Sequence, residues 1–261
     1  MIFSKYRPII LISAVPSEGN LFVKKMGMVK KDASGPLAFH TGRSMGRDII
    51  YSAAGLGKTN AAHAATRLIL KYVPAFVISF GIGGAYPSSG LKKGELAVAT
   101  KEIYADEGVI LNNRFETLET IGIPLVKISG KRYFNEFPLD NKLAREAIAA
   151  GLRTGTKVKP GVFATVSSCT GTKKRALEIS SRFNAICENM EGAAIAHICC
   201  LYKIPCIEIR GISNIVEARD VSKWDIDLAA ENCQKALIEL FSLPEISRWT
   251  GRNRPRKKKD K

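Results

Sequence analysis

Long apolar runs are scarce in this sequence. None of its 261 residues falls in a stretch of the ~18–20 apolar residues that a membrane-spanning helix needs. The apolar run at residues 9–12 is too short for the core of a signal peptide, and no small-residue cleavage site follows it. We therefore interpret this run as the first buried strand of a globular protein and expect no membrane partner.

Histidines are few, and the cysteines show no paired spacing. The chain has three histidines and six cysteines, and no two cysteines form a CxxC pair. This pattern argues against a common zinc site and against a disulfide framework. We predict free, buried thiols in a reducing cytoplasm, and neither a metal nor an organic cofactor.

Acidic residues are outnumbered by basic ones. The 24 aspartates and glutamates face 40 lysines and arginines, which gives a net charge of +16. The last ten residues, RNRPRKKKDK, contribute +6 of this charge and contain no aromatic residue. We interpret residues 246–261 as a basic, disordered tail rather than a nucleic-acid-binding arm. The basic body favours an anionic substrate or a negatively charged surface nearby.

Length and periodicity predict one domain over residues 1–245. Apolar runs alternate with segments of helical periodicity, whereas residues 24–48 show only a weak pattern. This alternation predicts an α/β fold, a single-domain three-layer α/β/α sandwich around a mostly parallel, mixed central sheet. The predicted strands include 8–15, 75–80, 161–167 and 205–212, and the predicted helices include 60–72, 139–152, 191–202 and 225–242.

Polar residues stand where several of these strands end. Glu18 follows the first strand, Glu191 begins the helix 191–202, and Asn214 follows the strand 205–212. Ligands of open α/β sheets bind beyond the carboxyl ends of the strands, so we expect these side chains to converge. The glycine-rich segment 81–84 ends another strand and lets the backbone approach a ligand closely, although a tight turn explains it equally well.

A second glycine-containing segment resembles the end of a nucleotide-binding P-loop. Gly57, Lys58 and Thr59 match the last positions of that motif, but the glycine required five positions before Gly57 is replaced by Ser52. We therefore reject an NTPase P-loop.

Four motifs in order resemble a known superfamily. They are Ala14-Val15-Pro16-Ser17-Glu18, Gly81-Ile82-Gly83-Gly84, Asn189-Met190-Glu191-Gly192-Ala193-Ala194 and Arg210-Gly211-Ile212-Ser213-Asn214. Over residues 8–242 the chain resembles the nucleoside phosphorylase and nucleosidase superfamily and, within it, the futalosine hydrolases of menaquinone biosynthesis. The resemblance implies a nucleoside phosphorylase-like fold and hydrolysis of an N-ribosidic bond without a cofactor. It also implies a homodimer or larger homo-oligomer, in which a neighbouring subunit closes the sugar pocket.

The resemblance also implies roles for individual residues. Glu18 would orient and deprotonate the attacking water, and Glu191 would hold the 2′ and 3′ hydroxyls of the ribose. Met190 would pack on the ribose face. The backbone of residues 81–84, with Ile82 and Gly83 at its centre, would line the base and sugar. Ser168, Cys169 and Thr170 would contact the base.

The prediction of which purine base is released depends on Asn214. Adenine-specific relatives usually have aspartate there, whereas an asparagine amide donates to the O6 and N7 acceptors of a 6-oxopurine. A site built for one hydrogen-bond polarity rejects the other, so Asn214 favours hypoxanthine and hence futalosine. The alternative is that Asn214 only caps a turn.

Two further interpretations concern basic residues. Arg210, Arg219 and Lys223 are candidates for contact with a substrate carboxylate, and residues 219–224 either fold over the pocket or form a plain loop. Arg43, Arg47 and Lys58 would form an anion site if the enzyme were a phosphorylase.

Three alternatives to a futalosine hydrolase remain at this point. One is a broader purine nucleosidase acting on methylthioadenosine or aminodeoxyfutalosine, and another is a purine nucleoside phosphorylase. A basic nucleic-acid-binding protein that reuses the fold is the third, and it predicts salt-dependent binding by the body without the tail.

Overall fold

The computed structural model describes residues 7–27, 30–34, 36–44 and 47–249. These residues form fourteen strands, eight α-helices and three short 3₁₀ helices. The strands are β1 (Ile9–Ser13), β2 (Lys30–Ser34), β3 (Leu37–Ser44), β4 (Arg47–Ala53), β5 (Phe76–Ala85), β6 (Leu96–Tyr104), β7 (Gly108–Leu111), β8 (Arg114–Thr117), β9 (Val126–Ile128), β10 (Lys131–Tyr133), β11 (Glu136–Pro138), β12 (Val158–Thr165), β13 (Ala185–Asn189) and β14 (Cys206–Ile215). The helices are α1 (Asn20–Lys25), α2 (Lys58–Tyr72), α3 (Leu118–Ile121), α4 (Asn141–Arg153), α5 (Lys173–Phe183), α6 (Gly192–Tyr202), α7 (Ile226–Ser242) and α8 (Pro244–Trp249).

Ten of the described strands form one mixed sheet. Nine follow the order β11-β6-β12-β13-β5-β1-β4-β3-β2, and β14 pairs with both β5 and β6. The pairing of β14 is parallel to β5 and antiparallel to β6. Within the sheet, β5 pairs with β13, β13 with β12, and β12 with β6. Because β14 pairs with both β5 and β6, it closes these strands into a ring.

Helices cover both faces of the sheet. Ile9 and Leu11 of β1 pack in a core that contains α4 and α7, whereas the alternate residues Ile10 and Ile12 pack in a core that contains α2 and α6. A strand buried on both faces is apolar at successive positions, which explains the continuous run at residues 9–12. The three-layer α/β fold expected from the sequence is confirmed.

Aspartate and threonine side chains begin three of the helices. Asp140 accepts the backbone N–H groups of Lys142 and Leu143 at the start of α4. Thr172 and Asp225 cap α5 and α7 in the same way. Each cap satisfies amide groups that the first helical turn leaves without an intrahelical partner.

The weak sequence pattern at residues 24–48 conceals two strands. β2 and β3 pair antiparallel to each other, and β3 pairs antiparallel to β4. Only one side of β3 is buried, at Leu37, Phe39 and Thr41. A strand at the margin of a sheet needs few apolar residues, which is why composition did not indicate it.

The carboxyl-terminal helix crosses the predicted domain boundary. α8 spans Pro244–Trp249, its Ile246 is fully buried, and the ring of Trp249 packs edge-on against Phe76 at 6.3 Å. Ordered structure therefore continues past residue 245, into the first four residues of the predicted tail. Residues 250–261 of that tail lie outside the described residues.

All six cysteines are free, as the sequence predicted. Four are buried, but Cys200 is half-buried and Cys169 is exposed, so the expectation of buried thiols fails at Cys169. Within the described ranges, the helices are all too short or too polar to cross a bilayer.

One side chain of α7, Gln234, forms hydrogen bonds with the backbone near the start of the described chain. The Oε1 atom of Gln234 accepts the backbone N–H of Phe22 at 3.1 Å, and its Nε2 atom donates to the carbonyl of Ser17 at 3.4 Å. Gln234 is 3 % exposed. The turn that carries Glu18 is thus held against the last long helix.

Candidate active site

A cavity lies where β1, β5, β13 and β14 end. The structure brings Glu18, Glu191 and Asn214 together in its wall, as the strand ends indicated. Residues that the sequence pattern had not singled out also line it. The full lining is Ala14, Val15, Glu18, Leu56, Ile82, Gly83, Gly84, Cys169, Thr170, Glu188, Asn189, Met190, Glu191, Arg210, Ser213, Asn214, Val216, Arg219 and Trp224.

Three backbone amides hold the Glu18 carboxylate. Its Oε2 atom accepts the N–H groups of Ala14 and Val15 at 2.9 and 3.0 Å, and its Oε1 atom accepts the N–H of Ile82 at 2.8 Å. Glu18 is only 3 % exposed and lies in a short 3₁₀ helix, Pro16–Glu18. The carboxylate therefore has one orientation, with its remaining lone pairs available to a ligand.

Gly81 makes room for this carboxylate. A Cβ atom on Gly81 would lie 2.3 Å from Oε1 of Glu18. The backbone of β5 and the side chain of Glu18 are in direct contact, which no other residue type at position 81 permits. The glycine is therefore required for a close approach within the protein.

Glu191 stands at the amino terminus of α6. Its Oε1 atom accepts the backbone N–H of Gly57 at 2.9 Å, and its Oε2 atom lies 3.4 Å from Nη2 of Arg210. Burial raises the pKa of Glu191, while Arg210 and the Gly57 amide oppose that rise. The N-terminal end of a helix also favours a negative charge.

Arg210 is committed to contacts within the protein. Its Nε atom donates to Glu208 at 2.7 Å, its Nη1 atom donates to the carbonyl of Ile82 at 3.1 Å, and its Nη2 atom faces Glu191. The side chain is 2 % exposed. This overturns the expectation that Arg210 could bind a substrate carboxylate, because its donors already serve Glu208, Ile82 and Glu191.

Two sulfur atoms meet at one side of the cavity. The Sγ atom of Cys169 lies 3.2 Å from Sδ of Met190, and both residues line the cavity. Ser168 is exposed and lies outside the lining, so the structure does not place it with the other predicted contacts. Cys169 and Thr170, the other two residues predicted to contact the base, do line the cavity.

A bulge in β14 places Asn214. The register of β14 against β5 shifts between Ile212 and Asn214. The Oγ atom of Ser213 lies within hydrogen-bond distance of Oδ1 of Asn214, at 2.8 Å, and of the carbonyl of Gly83, at 3.2 Å. Nδ2 of Asn214 donates to the carbonyl of Ile215 at 3.3 Å, which leaves its second hydrogen free.

The segment after β14 does reach the cavity. Arg219 and Trp224 both line it, and the Arg219 guanidinium lies 5.2 Å from the centre of the Trp224 ring. Lys223 lies outside the lining and pairs with Asp220 at 3.2 Å. Of the three basic residues expected near a substrate carboxylate, Arg219 alone lines the cavity with an uncommitted guanidinium.

Glu188 was missed by the sequence interpretation. It accepts the backbone N–H of Thr170 at 2.9 Å and the hydroxyls of Thr170 and Tyr86. Burial and the negative charge of Glu188 raise the pKa of Tyr86, so its hydroxyl remains a donor. Glu188 thus holds the loop that carries Cys169 and Thr170. The sequence did contain a signal for Glu188, namely a charged residue within the buried strand that ends at Asn189.

The basic residues considered for a phosphate site lie elsewhere. Lys58 pairs with Asp106 at 2.5 Å and Glu107 at 3.1 Å, and Arg43 pairs with Asp48 at 3.2 Å. Neither these two nor Arg47 lines the cavity. The structure therefore does not assemble the anion site that the phosphorylase alternative requires.

No cluster of three or more histidine, cysteine, aspartate or glutamate side chains in the described part of the chain has the arrangement of a metal site. The cavity lining supplies carboxylates, amides and backbone polar groups.

Comparison with known proteins gives consistent results. Residues 8–242 match the phosphorylase superfamily. The chain is 35% identical to a futalosine hydrolase of Thermus thermophilus over 208 residues, which cover 79% of this chain and 88% of that protein. It is 27% identical to a 5′-methylthioadenosine/S-adenosylhomocysteine nucleosidase of Bacillus subtilis, over 88% of this chain and 96% of that protein.

The fold also matches a solved structure. A crystal structure of 5′-methylthioadenosine/S-adenosylhomocysteine nucleosidase from Neisseria meningitidis, in complex with methylthio-immucillin-A, superposes with a TM-score of 0.79. The sequence identity is 25%, and the match covers 91% of this chain and 100% of that chain.

Proposed function

The chain belongs to the phosphorylase superfamily and is an N-glycosyl hydrolase of nucleosides, and from this premise we propose that its substrate is futalosine. The reaction would break the N-ribosidic bond with water and release hypoxanthine and dehypoxanthine futalosine, a step of menaquinone biosynthesis. The similarity to a futalosine hydrolase at 35% supports this substrate, but similarity to adenine-releasing nucleosidases is nearly as high. The geometry of the cavity therefore has to decide between the two.

The observation that carries the proposal is the contact between Ser213 and Asn214. The serine hydroxyl at Oδ1 and the Ile215 carbonyl at Nδ2 together orient the Asn214 amide, and one Nδ2 hydrogen is left to donate to a ligand. That hydrogen can be donated to the N7 or O6 acceptor of hypoxanthine, whereas the 6-amino group of adenine would meet another donor. The orientation thus favours a 6-oxopurine.

Water is activated at Glu18 in this proposal. The carboxylate takes a proton from water as the water oxygen bonds to C1′ of the ribose. The bond between C1′ and N9 breaks, and its electron pair leaves with the purine as the hypoxanthine anion, whose N7 accepts a hydrogen bond from the Asn214 amide. The anion then takes a proton from solvent water, and Glu18 returns the proton that it received to solvent. General-base help of this kind contributes about 10²–10⁴ in rate.

The ribose would be held by Glu191 and Met190. The Glu191 carboxylate accepts hydrogen bonds from the 2′ and 3′ hydroxyls, and such bonds strengthen as the sugar acquires oxocarbenium character. Met190 lies beside Glu191 in the lining and offers an apolar surface to the sugar ring. A stationary Glu191 matters here, because a displaced carboxylate would bind both hydroxyls poorly.

Arg219 suits the carboxylate that futalosine carries on an aromatic ring. The guanidinium and the Trp224 ring lie together at the cavity. An arginine binds a carboxylate with two parallel hydrogen bonds, and an indole packs against an aromatic ring. Methylthioadenosine has no group that would use this pair.

We also propose that a second copy of the chain covers the cavity. Leu56 and Val15 line it and are 61% and 40% exposed, which leaves apolar surface at its rim. Light scattering of the purified protein tests this part of the proposal. A monomeric active enzyme would contradict it.

The test of function uses three nucleosides in parallel. Purified protein is incubated with futalosine, inosine or methylthioadenosine, with and without phosphate, and the free base is followed by chromatography. We expect hypoxanthine from futalosine, independent of phosphate. Adenine from methylthioadenosine would identify the broader nucleosidase, and phosphate-dependent release from inosine would identify a phosphorylase. No release from any of the three would favour the nucleic-acid-binding alternative.

A further inference from the structure

Two buried carboxyl groups lie side by side behind the cavity. Glu102 of β6 is 0% exposed and Glu208 of β14 is 1% exposed. Both reach the same point beside Gly192, where a Cβ atom would lie 2.1 Å from Oε2 of Glu208 and 2.3 Å from Oε1 of Glu102. Neither glutamate lines the cavity. They are therefore not candidates for contact with a substrate.

The partners of the two glutamates differ in charge. Glu208 accepts a hydrogen bond from the Arg210 guanidinium at 2.7 Å. Apart from Glu208, the hydrogen-bond partners of Glu102 are neutral: the amide of Asn189 and the hydroxyl of Thr165, each at 2.7 Å. Two ionised carboxylates in contact repel each other strongly when buried, so one of them keeps a proton. The arginine keeps Glu208 ionised, which leaves the proton on Glu102.

The pKa values agree with this assignment. Burial raises the pKa of Glu102 well above its usual range, and the neighbouring Glu208 raises it further. Other titratable groups near the pair are Arg210 and Cys206 on β14, Cys187 on β13 and Tyr104 on β6. Burial raises the pKa of Cys187 and of Tyr104, and the contact with Cys199 together with burial raises the pKa of Cys206. Arg210 is therefore the charged neighbour that decides which carboxyl ionises.

The pair is connected to Glu191 by two routes. Arg210, held by Glu208, faces the Glu191 carboxylate with Nη2. Asn189 donates to Glu102, while its Oδ1 atom accepts the backbone N–H groups of Glu191 and Gly192 at 2.9 and 2.7 Å. One route fixes the carboxylate of Glu191, and the other fixes its backbone at the start of α6.

We propose that Glu102 is a positioning residue that remains protonated and shares its proton with Glu208, and thereby holds Arg210 and the Glu191 carboxylate in place. The part that concerns the sugar rests on the proposed function, in which Glu191 receives the ribose hydroxyls. Loss of the proton would place two facing carboxylates next to a single arginine. The network would then loosen, and sugar binding would weaken as the pH rises.

Two isosteric variants separate the roles of the two glutamates. Glu102→Gln keeps a neutral donor next to Glu208, so its kcat/KM at neutral pH should stay within about threefold of wild type. Wild type should lose activity at alkaline pH as Glu102 loses its proton, and this variant should not. Glu208→Gln removes the charge that holds Arg210 and should lower kcat/KM roughly 10–100-fold, mainly through KM. Glu136→Gln, at an exposed glutamate paired with Lys101, is the matched control and should be silent.

A second measurement does not depend on turnover. Infrared spectra of the protein without substrate, at neutral pH, should contain the carbonyl band of one protonated carboxyl group. The band should disappear in Glu102→Gln and persist in Glu136→Gln. Absence of the band in wild type, or equal losses of kcat/KM in Glu102→Gln and Glu208→Gln, would overturn the proposal.

The outcomes distinguish this proposal from the proposed function. If futalosine is not cleaved but another nucleoside is, the substrate is wrong, and the same variants are compared on the nucleoside that is cleaved. If no nucleoside is cleaved, the infrared band still decides whether Glu102 holds a proton. Where a nucleoside is cleaved, an intact band together with an unchanged kcat/KM in Glu208→Gln would refute only the positioning role.

Discussion

The hydroxyl of Ser213 lies 2.8 Å from Oδ1 of Asn214, its neighbour in β14. This contact and the hydrogen bond from Nδ2 to the carbonyl of Ile215 assign the two ends of the amide, and one Nδ2 hydrogen remains to donate. In the proposed function, a residue that carries no charge and no acidic proton therefore selects between two purines. On that proposal, selection depends on which way the amide is turned, and Ser213 helps to set that direction.

Asn214→Asp should exchange the base preference. An ionised carboxylate accepts hydrogen bonds and repels the O6 atom of a 6-oxopurine, so kcat/KM for futalosine should fall roughly 10–100-fold. Activity on methylthioadenosine should rise relative to it. Parallel assays of the two nucleosides measure the ratio, and Ser213→Ala should give an intermediate ratio because the amide is then free to turn. An unchanged ratio would remove Asn214 from base selection.

Glu18→Gln should abolish most turnover and leave binding nearly intact. The amide cannot take a proton from water, so kcat should fall about 10²–10⁴-fold while KM changes little. Steady-state kinetics with futalosine checks this. Glu217→Gln is the control, because Glu217 pairs with Lys173 outside the cavity. Turnover of Glu18→Gln within a few-fold of wild type would show that another group activates the water.

Arg219→Gln should weaken binding of the carboxylated substrate only. Arg219 is an exposed residue, so the lost interaction should raise KM for futalosine by about two- to fivefold. KM for inosine should not change. Lys223→Gln, four residues along and outside the cavity, supplies the comparison. Equal effects of the two variants would mean that only the general positive charge of this segment matters.

Gly192→Ala should destabilise the fold as well as the site. The added methyl group would lie within 2.3 Å of both buried carboxyls, so the surrounding strands must move. Overpacking of this kind costs about 1–3 kcal/mol in the free energy of unfolding, which urea titration measures. Gly171→Ala is the control, since its Cβ atom would meet nothing closer than Cβ of Arg219 at 3.8 Å. Equal stability of the two variants would refute the close packing around Gly192.

We expect protonation of His197 to make the fold less stable in mild acid. Burial lowers its pKa in the folded protein, so the unfolded chain binds the proton more readily. Stability should therefore decrease as the pH falls below about 6.5, the usual value for histidine. His197→Phe keeps a ring against Phe137, whose centre lies 4.7 Å away, and removes the titration. The free energy of unfolding, measured by urea titration at about pH 5 and about pH 7.5, should change less between the two pH values in His197→Phe than in wild type. His63→Gln, a change at an exposed histidine, is the control and should behave like wild type. The same change in all three proteins would contradict this prediction.

The fold and the convergence of the site were accessible from sequence because they depend on simple patterns. Buried strands such as β1 are apolar at several successive positions, and the residues that follow parallel strands meet at one edge. Glu18, Glu191 and Asn214 could therefore be placed together before any coordinates were known. The hairpin of β2 and β3 could not be predicted, because strands near the edge of a sheet have too few apolar residues to show an alternating apolar and polar pattern.

Contacts between side chains were much less accessible. Arg210 was a reasonable candidate for a substrate carboxylate until the structure paired it with Glu208 and Glu191. Spacing along the chain does not reveal which charge a buried arginine neutralises. One signal was available, however: Glu208 lies between Ile207 and Ile209 in a buried strand, and an isolated charge there requires a partner.

β14 has a consequence for synthesis on the ribosome. It begins at Cys206, yet it fills the position between β5 and β6, which are complete by Tyr104. About a hundred residues must be translated before the facing edges of those strands are paired. During that interval the nascent chain presents unpaired strand edges, which are sites of aggregation and of chaperone binding. A stop codon before residue 206 would make this exposure permanent, so we expect such truncated chains to be insoluble rather than merely inactive.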